Sequence, residues 1–202
     1  MVCMNTLLLA TNNEGKLEEI RAIFAGFYPR VLTLAQAGLE LTVVEDGATF
    51  AENALKKAKE AVRISKMDAL ADDSGLCVDA LGGAPGVHSA RYAGERAGDA
   101  ANNDKLLRAL EHVDEPYRAA SFVCCVALCG ADGKTFTAEG RCEGRILRAP
   151  QGENGFGYDP LFWYEPFGCT FAQASAAQKN TVSHRARALR TLAEKLAMEQ
   201  VR

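Results

Sequence analysis

Two adjacent carboxylates follow a short apolar run in the segment Ala71-Asp72-Asp73-Ser74-Gly75. The run Met67–Ala71 predicts a buried strand, and the Ser-Gly pair predicts a turn directly after it. A strand that ends there places both acids at the rim of a sheet, where α/β proteins usually bind ligands. Because adjacent acids repel each other, they favour a cation between them, and Mg²⁺ takes one or two carboxylates as ligands. The alternative is a solvated Asp-Ser-Gly turn, and the motif by itself leaves both interpretations open.

Length and charge exclude several classes of protein. A chain of 202 residues can form one full-sized core, with room for two lobes around a cleft. A formal net charge of −3 argues against a general nucleic-acid or membrane-surface binder. The first apolar run, Leu7–Ala10, is too short for a signal peptide or a membrane span, so we expect a cytoplasmic protein.

The cysteines predict reduced structural thiols rather than a zinc site. Their number, seven, is odd, and no two of them are spaced as Cys-x-x-Cys. Three lie in the apolar stretch Ser121–Cys129, which is typical of thiols that fill a core.

Hydrophobic periodicity and capping signals predict a mixed α/β sheet flanked by helices. The predicted strands cover Asn5–Ala10, Met67–Ala71, Ser121–Cys129 and Thr135–Ile146, the last two as an antiparallel hairpin. The predicted helices cover Gly15–Gly26, a segment from a Thr49 cap to about Ser65, one from an Asp99 cap through Leu110, and one after a Ser183 cap. Without repeats or linkers, we expect residues 1–202 to form one domain of two lobes with the active-site cleft between them.

A polar turn between the first strand and the first helix is a candidate phosphate-binding loop. It reads Thr11-Asn12-Asn13-Glu14-Gly15-Lys16. Backbone N–H groups, the positive end of the helix dipole and an ammonium group together suit phosphates. The spacing is not that of a Walker loop, and the alternative is an ordinary left-handed turn.

Two residues between this turn and the acid pair are candidates for the same site. Glu45 offers a second oxygen ligand for Mg²⁺, or is simply a loop acid. In the helix that follows, we expect Lys57 to reach a polyphosphate, and we expect Lys56 and Lys59 to form an ordinary solvated face.

The segment Gly155-Phe156-Gly157-Tyr158-Asp159-Pro160 is a candidate base-binding loop. Its glycines allow the backbone to come close to a ligand. Phe156 or Tyr158 is suited to stacking on a base, and the carboxylate of Asp159 is suited to accepting a hydrogen bond from a ring N–H. The alternative is a turn held by aromatic packing.

Basic residues cluster around the start of the last helix, where the helix dipole disfavours cations. They are Lys179, His184 and Arg185. A local rule broken without an evident gain hints at function, and Arg185, a donor-only group, suits a keto oxygen or a phosphate. The alternative is a cap followed by solvent-facing basic residues.

Taken in order, these segments resemble the inosine triphosphate pyrophosphatase family. The resembling stretches are Ala10–Lys16, Phe50–Ala58, Ala71–Gly94, Gly155–Phe162 and Lys179–Arg185. The resemblance implies Mg²⁺-dependent cleavage of ITP, dITP and XTP between the α- and β-phosphates, releasing the monophosphate and pyrophosphate. It also implies a homodimer.

The resemblance implies a role for each candidate residue. Asp73 would be the general base and, with Glu45 and the help of Asp72, would hold the metal. The loop from Thr11 to Lys16, together with Lys57, would bind the phosphates, and Ser74 would contact the substrate beside the base. The remaining residues would surround the nucleobase: Phe156, Gly157, Tyr158, Asp159, Lys179, His184 and Arg185.

The chain departs from the family pattern before Lys179. Relatives carry acids where this chain has Ala172-Gln173-Ala174 and Ala177-Gln178, so we expect the loop presenting Lys179 to be held differently. Two other functions remain open: a phosphatase that releases the γ-phosphate, and a non-catalytic nucleotide-sensing module.

Overall fold

The computed structural model describes residues 6–11 and 14–200, so Asn12 and Asn13 lie outside the described residues. The strands of this part are β1 (Thr6–Leu9), β2 (Arg30–Thr33), β3 (Asp68–Val78), β4 (Ala119–Cys129), β5 (Thr135–Ile146), β6 (Phe162–Tyr164) and β7 (Cys169–Thr170). Its α-helices are α1 (Glu14–Phe24), α2 (Phe50–Ser65), α3 (Asp99–Ala109), α4 (Ala176–Val182) and α5 (His184–Gln200). Of the helices in the described ranges, none combines the length and the apolar character needed to cross a membrane.

The strands form one mixed sheet in the order β2-β1-β3-β4-β5-β6-β7. β1 runs parallel to both β2 and β3, whereas β6 runs antiparallel to β5 and β7. β4 and β5 are neighbours joined by a short turn, in which Gly130 N donates to Lys134 O at 2.8 Å. The predicted mixed α/β class with flanking helices is therefore confirmed.

The turn predicted at Ser74-Gly75 is wrong, because β3 continues through both residues to Val78. Beyond the acids, Leu76 and Val78 are fully buried, and a turn would forfeit that apolar burial. The neighbouring β1 stops pairing with β3 at Leu70. Asp72 and Asp73 therefore lie beyond the carboxyl end of β1 but in the middle of β3.

The predicted N-cap residue is confirmed for α2 and is wrong for α3. Thr49 caps α2, since its Oγ1 accepts from Glu52 N at 3.2 Å. The N-cap of α3 is Gly98, and Asp99 is the first helical residue. The carboxylate of Asp99 accepts from Gly157 N instead, at 2.6 Å, a partner that is remote in sequence.

The chain divides into two compact units. Unit 1 comprises Met1–Asp73, Cys124–Gly140 and Arg185–Arg202. Its largest apolar cluster packs α1 and α5 against the sheet, and the predicted apolar face of the last helix, Leu189, Leu192 and Leu196, lies within it. A second cluster packs the small residues Ala54 and Ala58 of α2 against the sheet.

Unit 2 comprises Ser74–Val123 and Arg141–His184. Its core is rich in aromatic residues, with Phe122, Phe162 and Phe171 packed at centroid separations of 4.6 to 6.0 Å. The single domain and the cleft between two lobes stay predictions.

The six cysteines of the described residues are free thiols, and four of them are buried: Cys124, Cys125, Cys129 and Cys142. Burial is the main reason why the pKa of Cys125 rises to about 11. Cys3 lies outside the described residues.

Unit 2 also contains a buried arginine that the sequence analysis did not single out. Arg118 is 2 % exposed, and its guanidinium donates to main-chain carbonyls of two separate segments. Nε donates to Ile146 O at 2.8 Å, Nη2 to Leu147 O at 3.0 Å, and Nη1 to Leu110 O and Val113 O at 2.7 and 3.3 Å. Arg118 therefore ties the end of β5 to the segment after α3.

We expect Arg118→Ala to lower the free energy of unfolding by at least about 3 kcal/mol, because several buried carbonyls lose their donor. Denaturant titration of both variants measures the effect against Arg148→Ala. Arg148 is half-exposed and donates to the same Val113 O, so its loss should cost no more than about 1 kcal/mol. Equal small losses in the two variants would show that the Arg118 hydrogen bonds do not stabilise the fold.

Candidate active site

Asp73 in unit 1 has a defined partner on each carboxylate oxygen. Oδ2 accepts from Asn53 Nδ2 at 3.0 Å, and Oδ1 lies 3.6 Å from Lys57 Nζ. The same ammonium lies 3.1 Å from Glu45 Oε2. Side-chain exposures of 14 % for Lys57 and 13 % for Asp73 show that this charge pair is largely removed from water. Two carboxylates from distant parts of the sequence thus converge on one cation.

Asn53 belongs to this site, and the sequence analysis missed it. Its side chain is buried within α2, where it bridges Asp73 and the backbone of the preceding loop: Oδ1 accepts from Gly47 N at 2.8 Å. A Cβ at Gly47 would lie 2.7 Å from that same oxygen, so the loop can approach only as glycine. One sequence signal could have pointed to Asn53: it is a polar residue on the side of the helix that is otherwise formed by buried alanines.

Asp72 points to the face of β3 opposite Asp73, as the alternation of side chains along a strand requires. Its Oδ2 lies 3.3 Å from Arg185 Nε, a side chain of α5. Burial acts to lower the pKa of Arg185, but the negative charges around it, Asp72 foremost, outweigh burial, and the net shift is upward. Asp72 is therefore neutralised by an arginine within its own unit.

The expected set of three carboxylates for one metal is not formed. Within the described ranges, Glu45, Asp72 and Asp73 do not come together as a group able to hold an ion. Consecutive side chains of a strand point to opposite faces, so Asp72 and Asp73 have different neighbours. Arg185, expected at the nucleobase, pairs with Asp72. The roles of Asp72 at the metal and of Arg185 at the base stay predictions.

The candidate phosphate loop is described only in part. Thr11 is half-buried and lines a small cavity of about 10 Å³ with Asp72 and Arg185. Glu14, Gly15 and Lys16 form the first turn of α1, so the helix begins within the segment predicted as a polar turn, one residue before the predicted start at Gly15. The side chains of these three residues, and the whole of Asn12 and Asn13, lie outside what the structure describes.

In unit 2, the segment Gly155–Asp159 is a loop organised around the buried carboxylate of Asp159. This carboxylate accepts from Phe156 N at 3.0 Å and forms an ion pair with Lys179. The ammonium of Lys179 also lies 4.5 Å from the ring centroid of Phe156. The ring of Phe156 is 68 % exposed, which is unusual for so large an apolar group.

Tyr158 and His184 occupy packing positions in unit 2. Tyr158 is buried, and its hydroxyl donates to Ser89 O at 2.9 Å. His184 is also buried and stacks on Phe122, with ring centroids 5.2 Å apart and planes at 18°. Of the two aromatic rings expected to stack on a base, only that of Phe156 is exposed. Ser74 is half-buried in β3.

Glutamines hold the segment before Lys179. Gln178 completes a capping box with Ser175 at the start of α4, since each side chain accepts from the backbone N–H of the other. Gln173 Oε1 accepts from Thr170 N at 3.0 Å. Glutamine is a good substitute for an acid at these positions because the interaction needs an acceptor and not a charge.

Comparison with known proteins places this α/β fold with its carboxylate–lysine site among nucleotide-processing proteins. The dITP/XTP pyrophosphatase of Syntrophobacter fumaroxidans is 56% identical over 183 residues, covering 91% of this chain and 78% of the relative. That of Geobacter sulfurreducens is 51% identical over 198 residues, covering 98% and 100%. The Ham1 protein of Staphylococcus aureus has a similar structure, with a TM-score of 0.88 and 40% identity over 96% of this chain and 100% of that one.

The model of the Ham1 family matches residues 7–195. The chain therefore belongs to the Ham1 family, and the resemblance seen in the sequence is confirmed.

We expect the Asp72–Arg185 pair to contribute measurably to stability, because both side chains are largely buried. A double-mutant cycle of Asp72→Ala and Arg185→Ala, followed by chemical denaturation, should give a coupling energy of about 1–3 kcal/mol. The more exposed pair Glu60–Arg63 is the control and should show a coupling energy of no more than about 0.5 kcal/mol. Additive effects at Asp72 and Arg185 would contradict the assignment of a structural pair.

Proposed function

We propose that this chain hydrolyses dITP, ITP and XTP to the nucleoside monophosphate and pyrophosphate, and so removes deaminated purine nucleotides. The observation that carries the proposal is the carboxylate of Asp73, fixed on one oxygen by Asn53 and facing a lysine with the other. It is supported by relatives that are named dITP/XTP pyrophosphatases and match nearly the whole chain.

Asp73 is proposed as the general base that takes a proton from the attacking water. A base must be held in one orientation and must keep its charge. The amide of Asn53 fixes the carboxylate plane, and the ammonium of Lys57 favours the ionised form. Asn53 is thus a positioning residue for the base.

Glu45 and Asp73 are proposed to hold Mg²⁺. The fit rests on the bridging contact of Lys57, which shows that two hard oxygen donors converge on a place for one cation. When bound, the ion would neutralise charge on the triphosphate and help to orient it. The residues themselves supply the carboxylate oxygens, and Lys57 supplies a positive charge beside them.

Lys57 is proposed to stabilise negative charge as the bond between the α- and β-phosphates breaks. The leaving pyrophosphate gathers charge on its oxygens, and an ammonium that already donates to oxygen anions is suited to it. Lys56, the preceding residue, pairs with exposed Asp46 instead, as expected for a solvated face.

Phe156 is proposed as the ring on which the purine stacks, since it is large, apolar and exposed. The ammonium of Lys179 lies over the same ring and offers a donor to polar edges of a base. The buried carboxylate of Asp159 holds Lys179 and Phe156 N in place, and its role as an acceptor for a ring N–H stays a prediction. Other roles implied by the family resemblance stay predictions, namely those of Thr11, Asn12, Asn13, Glu14, Gly15, Lys16, Gly157, Tyr158, Ser74, His184 and Arg185. Cytoplasmic location and a homodimer are proposed on the same basis.

We expect wild-type protein with Mg²⁺ to convert dITP, ITP and XTP much faster than GTP or ATP, and to release pyrophosphate first. The measurement is a hydrolysis panel in which pyrophosphate and orthophosphate are quantified separately. Orthophosphate as the first product would favour the phosphatase alternative. Tight ITP binding without turnover would favour the sensing module.

We expect Asp73→Asn to bind ITP and keep the fold, yet to lose at least about 100-fold in kcat, because the amide cannot accept the proton of the attacking water. Steady-state kinetics and a thermal unfolding curve measure the two properties. Asp46→Asn is the matched control, an exposed acid one residue after Glu45, and should remain active. Near-normal turnover by Asp73→Asn would rule out this residue as the base.

A further inference from the structure

Both main-chain polar groups of Gly157, one in each of its two flanking peptides, are bound by side chains of α3. Gly157 N donates to Asp99 Oδ2 at 2.6 Å, and Gly157 O accepts from Asn103 Nδ2 at 2.9 Å. The two side chains are four residues apart and so lie on one face of the helix. Gly157 directly follows Phe156, the exposed ring of the loop.

Neither Asp99 nor Asn103 forms a side-chain hydrogen bond that caps its own helix. The N-cap of α3 is Gly98, and Asp99 serves no capping bond. Asn103 buries its Oδ1 without a hydrogen-bond partner among the described residues. A buried carbonyl without a donor costs stability, so the placement of this asparagine needs a reason outside the helix. The hydrogen bond to Gly157 O provides it.

The point of attachment is a residue that cannot hold the loop by itself. Gly157 adopts a φ of +62°, which glycine visits freely in either direction. On one side of it, the Asp159 carboxylate fixes Phe156 N. The carbonyl of the peptide after Phe156 accepts from Asp159 N at 3.2 Å, within the loop itself. Asp99 adds a bond to the N–H of that peptide and Asn103 one to the next carbonyl, so these two anchors come from outside the loop.

We propose that Asp99 and Asn103 are positioning residues for nucleobase binding, which fix the Gly157 peptide so that the Phe156 ring is presented in one orientation. This inference rests on the proposed function, since it needs a purine to stack on Phe156. The ligand class is the base of a purine nucleotide. The hydrogen bonds of both side chains go to the loop that carries Phe156, so we expect the effect to fall on binding of the base and not on the chemical step.

Two kinds of substitution at Asp99 separate positioning from helix stability. Asp99→Asn keeps an acceptor for Gly157 N but loses the negative charge that favours a helix start. Asp99→Glu keeps the charge but displaces the oxygen by one methylene. If Asp99 positions the loop, the KM of Asp99→Asn should be close to that of the wild type, and the KM of Asp99→Glu should be close to that of Asp99→Ala. If it only stabilises α3, the order is reversed.

We expect Asp99→Ala and Asn103→Ala each to raise KM for dITP by about 5-fold, the equivalent of one net hydrogen bond, with kcat changed less than about 2-fold. Asp104→Ala is the matched control, an exposed acid on the same helix, and should leave both constants unchanged. Thermal unfolding of each variant confirms that the fold is intact. Asn103→Ala provides an independent test should the Asp99 variants fail to fold.

The decisive measurement compares the effect of Asn103→Ala on KM in the wild-type protein with its effect in a Phe156→Ala background. If Asn103 acts through Phe156, Asn103→Ala in that background changes KM by less than about 2-fold, because the ring that it positions is gone. A full additional 5-fold rise would overturn the inference. Wild-type hydrolysis of dITP with an unchanged KM in both alanine variants would also overturn it, and would leave the proposed function intact. Absence of wild-type hydrolysis would instead overturn the proposed function, and this inference with it.

Discussion

Strand β3 contains two adjacent acidic residues, Asp72 and Asp73, whose side chains are largely buried. Because the two side chains point to opposite faces of the sheet, each needs its own cationic partner. Side-chain alternation puts Leu70 and Asp72 on the face covered by α5, and Ala71 and Asp73 on the face covered by α2. The first acid meets an arginine, which gives a structural ion pair. The second meets an amide and a lysine that also holds a further carboxylate, which gives a cluster of mixed charge, the one proposed above to hold Mg²⁺.

The approach of α2 to Asp73 depends on small side chains. Ala54 and Ala58 pack against Ala71 of β3, so the helix lies close enough for the short side chain of Asn53 to reach the carboxylate. The loop before the helix is drawn in by Gly47, whose N–H meets the same asparagine. One buried amide thus fixes both the carboxylate of Asp73 and the segment that follows Glu45.

The loop of unit 2 that is proposed to bind the nucleobase is likewise held by side chains, two sets of which come from other elements. Asp159 binds the loop from within, Lys179 of α4 neutralises it, and α3 binds the Gly157 peptide. The main-chain polar groups next to Phe156 form hydrogen bonds with protein side chains, while Phe156 itself stays exposed. A preorganised stacking surface lowers the entropic cost of binding a flat base.

By itself the sequence determined the mixed α/β class, the helix that Thr49 caps, the apolar face of α5 and the motifs of the Ham1 family, because these depend on local periodicity and on short segments of sequence. Only the tertiary structure decided that β3 continues past Gly75, that Asp72 pairs with Arg185, and that Asn53 joins Asp73. Each of these depends on which distant side chain covers a given face of the sheet. For Asp72 and Asp73, adjacency in sequence predicted a shared role, whereas the geometry of a strand gives them opposite neighbours.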